Sequence, residues 1–272
     1  MRGKQIMTVT GPVNANLLGT VYSHEHLIVQ PQIPDEKYIA YTLSDENASA
    51  KEVQLFANAG GKTIVEMTPI NYGRDVLAYQ RIAEKTGIYV ICCTGFHKEL
   101  FMPSWFKEKK SSQIYDEVLN EIENGIDKTS IRPGVIKMGT SFENITDQER
   151  RAVEIVARLH QDTGIMISTH CDKGTMGIEQ LDLLEHYGVS AKDVLLGHID
   201  SKHDIDYAKE LCKRGAKICI DHVGRSLSDH DAFCVQLITE LIEAGFVDHV
   251  VLSGDMGKTD YLLSYGGTPG FG

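Results

Sequence analysis

The sequence predicts a (β/α)8 (TIM) barrel. Short apolar runs rich in Val and Ile alternate with longer segments of helical spacing through almost all of the 272 residues. Eight such runs occur, and they are apolar throughout rather than alternating, which is typical of a parallel sheet covered on both faces. Eight units favour a closed barrel. Periodicity does not show closure, so an open doubly wound sheet stays an alternative.

The predicted elements follow one another regularly. The strands are TVYSHEHLI from Thr20, KTIVEM from Lys62, IYVICCTG from Ile88, PGVIKMG from Pro133, GIMISTH from Gly164, VLLGHI from Val194, AKICID from Ala216 and HVVLSGD from His249. Before them, Met7 to Leu18 predicts a small hairpin closing the barrel bottom. Thr146 and Glu149 form a capping box that begins a helix, and Gly164 ends it.

No linker, low-complexity tract or repeat interrupts the chain, so we interpret residues 1–272 as a single domain. The segment after Asp255 is short and rich in glycine, with Pro269 near its end. We therefore expect the eighth helix to be short or missing. The last strand would then lack its usual outer cover.

Composition excludes several classes of protein. The 42% hydrophobic and 24% charged residues fall in the range of soluble globular proteins. Acidic residues outnumber basic ones by 38 to 27, and the net charge of −11 argues against nucleic acid as a partner. No apolar stretch of about 18 residues and no leader-type apolar segment occurs, which predicts a cytoplasmic protein without membrane contact. The six cysteines lack paired spacing and are interpreted as core thiols.

Residues that commonly bind metals lie where the predicted strands end. They are His24 and His26 at the first strand, Lys137 near the end of the fourth, His170 at the fifth, His198 at the sixth and Asp255 at the eighth. In a barrel these ends meet at the face that carries the active site. His-x-His places both rings on one face of a strand, because side chains alternate. Each residue alone is ordinary, but together they predict a metal site.

Several motifs resemble those of the phosphotriesterase-like proteins of the amidohydrolase superfamily. They are LGTVYSHEHL at Leu18–Leu27, GIDKTSIRPGVIKMGT at Gly125–Thr140, TGIMISTHCD at Thr163–Asp172, LLGHID at Leu195–Asp200 and LSGDMG at Leu252–Gly257. The resemblance spans nearly the whole chain and implies a metal-dependent hydrolase. Full-length relatives continue beyond the loop after the last strand, so a truncated C-terminus is an open interpretation.

The resemblance implies a binuclear metal centre. One ion would bind His24, His26 and Asp255, the other would bind His170 and His198, and a carbamate on Lys137 would bridge the two. Imidazole ligands suit zinc, with manganese or cobalt as alternatives. The two ions would supply a bridging hydroxide and polarise the substrate.

The resemblance also implies a proton relay. Asp255 would orient the hydroxide and take up its proton, and His222 would pass that proton on. In the phosphotriesterases proper the relay ends on a second acidic residue after the sixth strand. Here Ser201 follows Asp200, so the end of the relay stays open.

Basic side chains near the strand ends indicate an anionic substrate. His97 and Lys98 follow the third predicted strand, Arg225 follows the seventh and Lys258 follows the eighth. Barrels often bind phosphate with the loops after strands seven and eight. We expect a small-molecule substrate, in first place a sugar lactone or ester carrying phosphate or carboxylate. Weak phosphotriester hydrolysis is expected as a by-product.

Other readings of the sequence stay open. The family's aromatic wall at the third strand is replaced by Phe96-His97-Lys98, which argues against large neutral organophosphates. An aryldialkylphosphatase-type hydrolase is nevertheless an alternative, as are a mononuclear deaminase and a non-catalytic zinc-binding barrel. The oligomeric state is open, with a homodimer among the options.

Overall fold

The computed structural model describes residues 4–33, 35–225 and 229–272. It begins with an antiparallel hairpin, β1 (Gln5–Thr8) and β2 (Gly11–Asn14). After β1, Val9 donates its backbone N–H to the carbonyl of Val90 at 2.9 Å. Because Val90 lies near the start of a barrel strand, the hairpin packs at the amino-terminal end of the barrel, as predicted.

All eight predicted strands are confirmed, and every adjacent pair in the ladder is parallel. They are β3 (Thr20–Glu25), β4 (Gly61–Glu66), β5 (Tyr89–Gly95), β6 (Val135–Thr140), β7 (Ile167–Cys171), β8 (Val194–Gly197), β9 (Lys217–Ile220) and β10 (Val250–Leu252). Strands that are neighbours in the sheet also follow one another in the sequence, so each pair is joined by a connection long enough to contain a helix.

Helices occupy the segments between the strands. They are α1 (Glu46–Asn58), α2 (Val76–Thr86), α3 (Trp105–Glu108), α4 (Ser111–Asn124), α5 (Asp147–Thr163), α6 (Gly177–His186), α7 (Ile205–Lys213) and α8 (Asp229–Glu243). The predicted capping box of Thr146 and Glu149 starts α5, and Gly164 ends it in the left-handed conformation. Among the described residues, no helix is long and apolar enough to cross a membrane.

The core lies between the helices and the outer face of the sheet. Ile136 of β6, Val156 of α5 and Leu184 of α6 are fully buried in one cluster. A second cluster includes Ile64 of β4 and Ile82 of α2. Burial of each such side chain contributes roughly 1.5–3 kcal/mol, so the helices hold the strand ends at fixed positions.

The first and last barrel strands meet at a seam. In the described chain, β3 and β10 are the two edges of the ladder, and side chains make most of the bonds between them. The Ser23 hydroxyl donates to the Leu252 carbonyl at 3.0 Å, and the Ser253 hydroxyl accepts from the backbone N–H of His24 at 3.1 Å. One backbone bond joins Asp255 N–H to the His24 carbonyl at 3.1 Å.

The carboxylate of Glu25 lies at the centre of this seam. It is fully buried and accepts from the Ser253 hydroxyl at 2.6 Å, from Gly254 N–H at 2.7 Å and from Met256 N–H at 2.9 Å. Burial raises the pKa of Glu25 to about 7, although these three donors favour the charged form. Glu25 thereby fixes the loop after β10 against the end of β3.

The segment after β10, the eighth barrel strand, forms only short 3-10 turns, Thr259–Tyr261 and Leu263–Tyr265. This agrees with the expectation that the helix after this strand is short or missing. Phe271 of this segment is buried and packs edge-on against Tyr22 of β3. Leu252 of β10 is 45% exposed. The outer face of the last strand is therefore only partly covered, as the sequence predicts.

We expect Glu25→Ala to lower the free energy of unfolding by about 3 kcal/mol or more, because three buried donors would lose their acceptor. Urea denaturation measures this. The matched control is Glu84→Ala on the exposed face of α2, which should change stability by less than about 0.5 kcal/mol. Equal effects of the two substitutions would contradict the role of Glu25 in the seam.

Candidate metal centre

One cavity of about 330 Å³ lies at the carboxyl ends of the barrel strands. The structure brings every residue predicted for metal binding, catalysis or substrate binding to its wall. These residues are His24, His26, His97, Lys98, Lys137, His170, His198, His222, Arg225, Asp255 and Lys258. Because they come from seven strand ends, only the closed barrel places them together.

His24, His26 and Asp255 form the first group of potential ligands. The Nε2 atoms of His26 and His24 lie 3.1 and 3.7 Å from Asp255 Oδ1. The hydroxyl of Thr68 donates to Glu66 at 2.6 Å and lies 2.7 Å from His26 Nδ1. Thr68 must therefore accept the proton of Nδ1, which leaves the lone pair of His26 Nε2 facing Asp255.

Strand geometry differs slightly from the prediction at this point. β3 ends at Glu25, one residue before His26, and its register with β4 shifts between Tyr22 and Glu25. Irregular pairing of this kind re-aims side chains beside active sites. Both histidines still reach Asp255, as the His-x-His spacing predicts.

His170 and His198 form a second pair at the ends of β7 and β8. His198 Nε2 lies 2.8 Å from His170 Nδ1. The other nitrogen of His198, Nδ1, lies 2.9 Å from Asp221 Oδ1, which fixes the ring with Nε2 toward His170. His198 has a φ of 62° and Asp255 a φ of 43°, both in the left-handed region that non-glycine residues rarely adopt. Such strain is typical of functional sites.

Protonation in the cavity suits metal binding. Burial lowers the pKa of His24 to about 3 and also lowers the pKa values of His26 and His170, so these rings are neutral and offer lone pairs. Burial opposes ionisation of Asp255, but Arg225 and the neighbouring histidines together outweigh it and hold the pKa of Asp255 well below its usual range. A cluster of neutral imidazoles with one carboxylate is a donor set that fits a divalent transition metal.

Lys137 of β6 is buried, with 1% of its surface exposed. Its Nζ donates to the carbonyl of Met67 at 2.6 Å and lies 3.5 Å from His24 Nε2. Burial lowers the pKa of Lys137. A lysine amine becomes nucleophilic only when neutral, so this environment suits carbamate formation with carbon dioxide.

Asp221 contacts one histidine of each group. It is fully buried after β9, accepts from the backbone N–H of His198 at 3.0 Å and lies 3.1 Å from His24 Nδ1. Neighbouring His198 and His24 hold the pKa of Asp221 well below its usual range against the effect of burial. The sequence analysis did not identify Asp221 as a functional residue. An acidic residue directly after the apolar run of β9 was the available signal.

His222 connects the cavity to Asp200. Its Nδ1 lies 2.8 Å from Asp200 Oδ2 and 3.0 Å from the Ser201 hydroxyl, and its Nε2 lies 3.8 Å from Asp255 Oδ2. Asp200 is fully buried. The sequence analysis left open which group follows His222 in the relay. In the structure two oxygens contact His222 Nδ1, the carboxylate of Asp200 and the hydroxyl of Ser201.

The four predicted substrate-binding residues differ in their surroundings. Lys258 Nζ lies over the ring of Tyr41 at 4.4 Å and over Tyr261 at 5.6 Å. The Arg225 guanidinium pairs with Asp255 Oδ2 at 2.6 Å and lies over Tyr261 at 4.9 Å. Arg225 is therefore tied to a predicted metal ligand, whereas Lys258 is held mainly by aromatic rings.

His97 and Lys98 are less available to a ligand. Lys98 Nζ pairs with Asp172 Oδ2 at 2.5 Å, so its charge is already compensated. His97 is buried, with its ring centroid 4.3 Å from that of His170, and its Nδ1 accepts from the backbone N–H of Lys98 at 2.7 Å. Burial holds the pKa of His97 well below its usual range, so His97 carries no charge toward an anion.

The family model for the Phosphotriesterase family matches residues 4–270. The chain belongs to this family. It is 32% identical to the phospho-furanose lactonase of Mycoplasmopsis synoviae, across 99% of this chain and 81% of the relative. The crystal structure of a lactonase from Listeria monocytogenes superposes with a TM-score of 0.94 at 31% identity, covering 98% of this chain and 87% of that one.

A further structure of the same family is the phosphotriesterase homology protein from Escherichia coli, solved with phosphate in its active site. It superposes with a TM-score of 0.88 at 30% identity, covering 93% of this chain and 88% of that one. The phosphotriesterase family is a family of divalent-metal enzymes. The chain is accordingly a metal-dependent hydrolase of the phosphotriesterase-like type.

The sequence analysis did not identify the aromatic residues that line the cavity. The cavity is lined by Tyr38, Tyr41, Tyr72, Phe101 and Tyr261. Phe101 lies in the loop after β5, the third barrel strand, close to the Phe96-His97-Lys98 segment that was compared with the aromatic wall of relatives. The other four rings come from the loops after β3, β4 and β10, so the residues at the third strand end do not describe the whole pocket. Their spacing in the sequence carries no periodic signal that could have identified them.

We expect Asp221→Asn to weaken metal binding by about 10–100-fold. The carboxylate contacts His198 with one oxygen and His24 with the other, and an amide has only one oxygen to accept with. Competition with a chromogenic chelator measures the affinity. Asp206→Asn, an exposed position on α7, is the matched control and should leave the affinity unchanged. Unchanged affinity in Asp221→Asn would show that the histidines hold their orientation without this carboxylate.

Proposed function

We propose that this member of the phosphotriesterase family hydrolyses a phosphorylated or otherwise anionic sugar lactone at a binuclear metal centre. The supporting observation is the juxtaposition, in one cavity, of the histidine and carboxylate cluster with the Lys258–Tyr261 pocket. The first group supplies ligands for metals, and the second supplies donors for an anion.

The ligands divide into two sets around Lys137. His24, His26 and Asp255 would hold one ion, and His170 with His198 would hold the other. A carbamate on Lys137 would contact both. Zinc is the metal that this donor set favours, with manganese and cobalt as alternatives. When bound, two such cations lower the pKa of a coordinated water and polarise the carbonyl of a lactone.

Proton movement falls to three residues of the chain. Asp255 is ionised and accepts a proton from the attacking water on the cavity side. His222 Nε2, 3.8 Å from Asp255 Oδ2, receives that proton after a small approach, and Asp200 stabilises the ring once it is charged. When the acyl C–O bond of the lactone breaks, the proton reaches the ring oxygen, which becomes a hydroxyl group of the ring-opened product.

A phosphate group on the substrate suits the side of the cavity formed by the loop after β10. Lys258 and the hydroxyl of Tyr261 lie in the loop after β10, the region where barrels commonly bind phosphate. One relative is named a phospho-furanose lactonase, and the Escherichia coli relative was crystallised with phosphate in its active site. Both support an anionic group on the substrate.

An aryldialkylphosphatase-type activity is the second candidate. The five aromatic rings of the cavity favour it, because apolar walls suit neutral aryl esters. A panel of phosphorylated lactones, neutral lactones and aryl phosphotriesters distinguishes the two. We expect the phosphorylated lactones to give the highest kcat/KM. A triester turned over faster by orders of magnitude would reverse the order.

Metal content tests the binuclear centre. We expect close to two ions per chain in the parent, and a loss of roughly one or more in Lys137→Met, because the shared ligand is removed while the apolar volume is kept. Mass spectrometry of gel-filtered protein counts the ions. Lys62→Met on β4, where the lysine is exposed, is the control and should keep the parent value. One ion in both parent and Lys137→Met would favour the mononuclear alternative.

Kinetics of Lys258→Ala test the phosphate pocket. We expect KM for a phosphorylated lactone to rise about 10-fold or more, because a charge-assisted hydrogen bond is lost, while KM for the neutral analogue stays within about twofold. Lys202→Ala is matched, since Lys202 lies over the ring of Tyr207 at 4.6 Å but outside the cavity. A similar rise for both lactones would mean that Lys258 supports the loop rather than the phosphate.

A further inference from the structure

We propose that Asp200, His230 and Cys234 form a binding site for one thiophilic divalent cation of the zinc class, separate from the metal centre. The ligand atoms of these three residues all lie within 4.8 Å of one another. None of the three belongs to the ligand set assigned to the centre. They come from the loop after β8 and from the first turns of α8.

Sequence spacing brings two of the ligands together. His230 and Cys234 are four residues apart on α8, so they lie on the same helix face one turn apart. His230 Nε2 lies 3.4 Å from Cys234 Sγ and 2.8 Å from Asp200 Oδ2. The other ring nitrogen, Nδ1, lies 3.0 Å from Nε2 of His203, which orients the ring with Nε2 inward.

These distances suit tetrahedral coordination. Zinc bonds of about 2.0 Å to nitrogen and about 2.3 Å to sulfur separate two such ligands by about 3.5 Å. The observed 3.4 Å between His230 Nε2 and Cys234 Sγ is close to this value. The 2.8 Å between His230 and Asp200 must open slightly, by about half an ångström, for an oxygen and a nitrogen to share the ion.

The three side chains form a largely buried pocket with one carboxylate. Asp200 is fully buried and Cys234 is 1% exposed, whereas the side chain of His230 is 23% exposed. An ion can therefore arrive past His230 and end in a low-dielectric pocket that already holds a carboxylate. When the metal binds, the thiol proton of Cys234 leaves to solvent, and so does the Nε2 proton with which His230 contacts the Asp200 carboxylate.

Occupancy of the site has a consequence for hydrolysis, which rests on the proposed function. Asp200 Oδ2 is the same atom that lies 2.8 Å from His222 Nδ1. An ion that takes this oxygen as a ligand competes with His222 for its carboxylate partner and leaves the Ser201 hydroxyl as the other contact of Nδ1. The site would then slow proton transfer when zinc is in excess, without touching the metal centre.

Spectroscopy tests the binding site directly. The metal-loaded enzyme is titrated with Co²⁺, and the thiolate-to-cobalt charge-transfer absorption is recorded. None of the proposed ligands of the centre carries sulfur, so this band reports Cys234. We expect one equivalent to produce the band in the parent and in Cys212→Ser, a buried cysteine of α7. Cys234→Ser should lack the band, and His230→Gln should bind about 10-fold or more weakly.

Two results would overturn the proposal: no thiolate band in the parent, or a band that persists in Cys234→Ser. Steady-state hydrolysis then tests the link to His222. We expect excess Zn²⁺ to lower kcat severalfold in the parent and in Cys212→Ser, but not in Cys234→Ser, whose basal activity should be normal. A band without any slowing would refute that link. If no substrate is hydrolysed, the proposed function fails while the absorption band still decides on the site.

Discussion

The buried carboxylate of Glu25 joins the first barrel strand to the loop after the last one, and the active-site geometry depends on this contact. Its three hydrogen bonds tie Ser253, Gly254 and Met256 to the end of β3. His24 and Asp255 flank this connection on either side of the seam. Because few backbone bonds link β3 and β10, the side chain of Glu25 sets the distance between His24 and Asp255.

Burial of ionisable groups is the second constraint, and it works in favour of the chemistry. The low-dielectric cavity keeps His24, His26 and His170 neutral and lowers the pKa of Lys137. Such groups are expensive to bury unless they are paired or bind metal. The barrel's helices and its apolar clusters supply the stability that offsets this expense. Left-handed backbone at His198 and Asp255 is held in the same way, by the structure around it.

Asp200 links the two parts of the molecule that the proposals concern. One of its oxygens lies within hydrogen-bond distance of both His222, at the cavity, and His230, on α8. The residue therefore stands between the proton path of the hydrolase and a cluster that contains Cys234. The oxygen accepts both bonds, and because they end on the same atom, a change at one contact alters the geometry of the other.

The sequence by itself determined the architecture and the histidines and Asp255 that line the cavity. Local signals sufficed: apolar runs for eight strands, the Thr146–Glu149 capping box for α5, and histidines and Asp255 at strand ends. Only the tertiary structure decided the contacts of Asp221, the pairing of Lys98 with Asp172, and the aromatic lining that includes Tyr261. These partners are far apart in the chain and meet because the barrel closes. Periodicity records which face a side chain occupies, but not which distant residue lies opposite it.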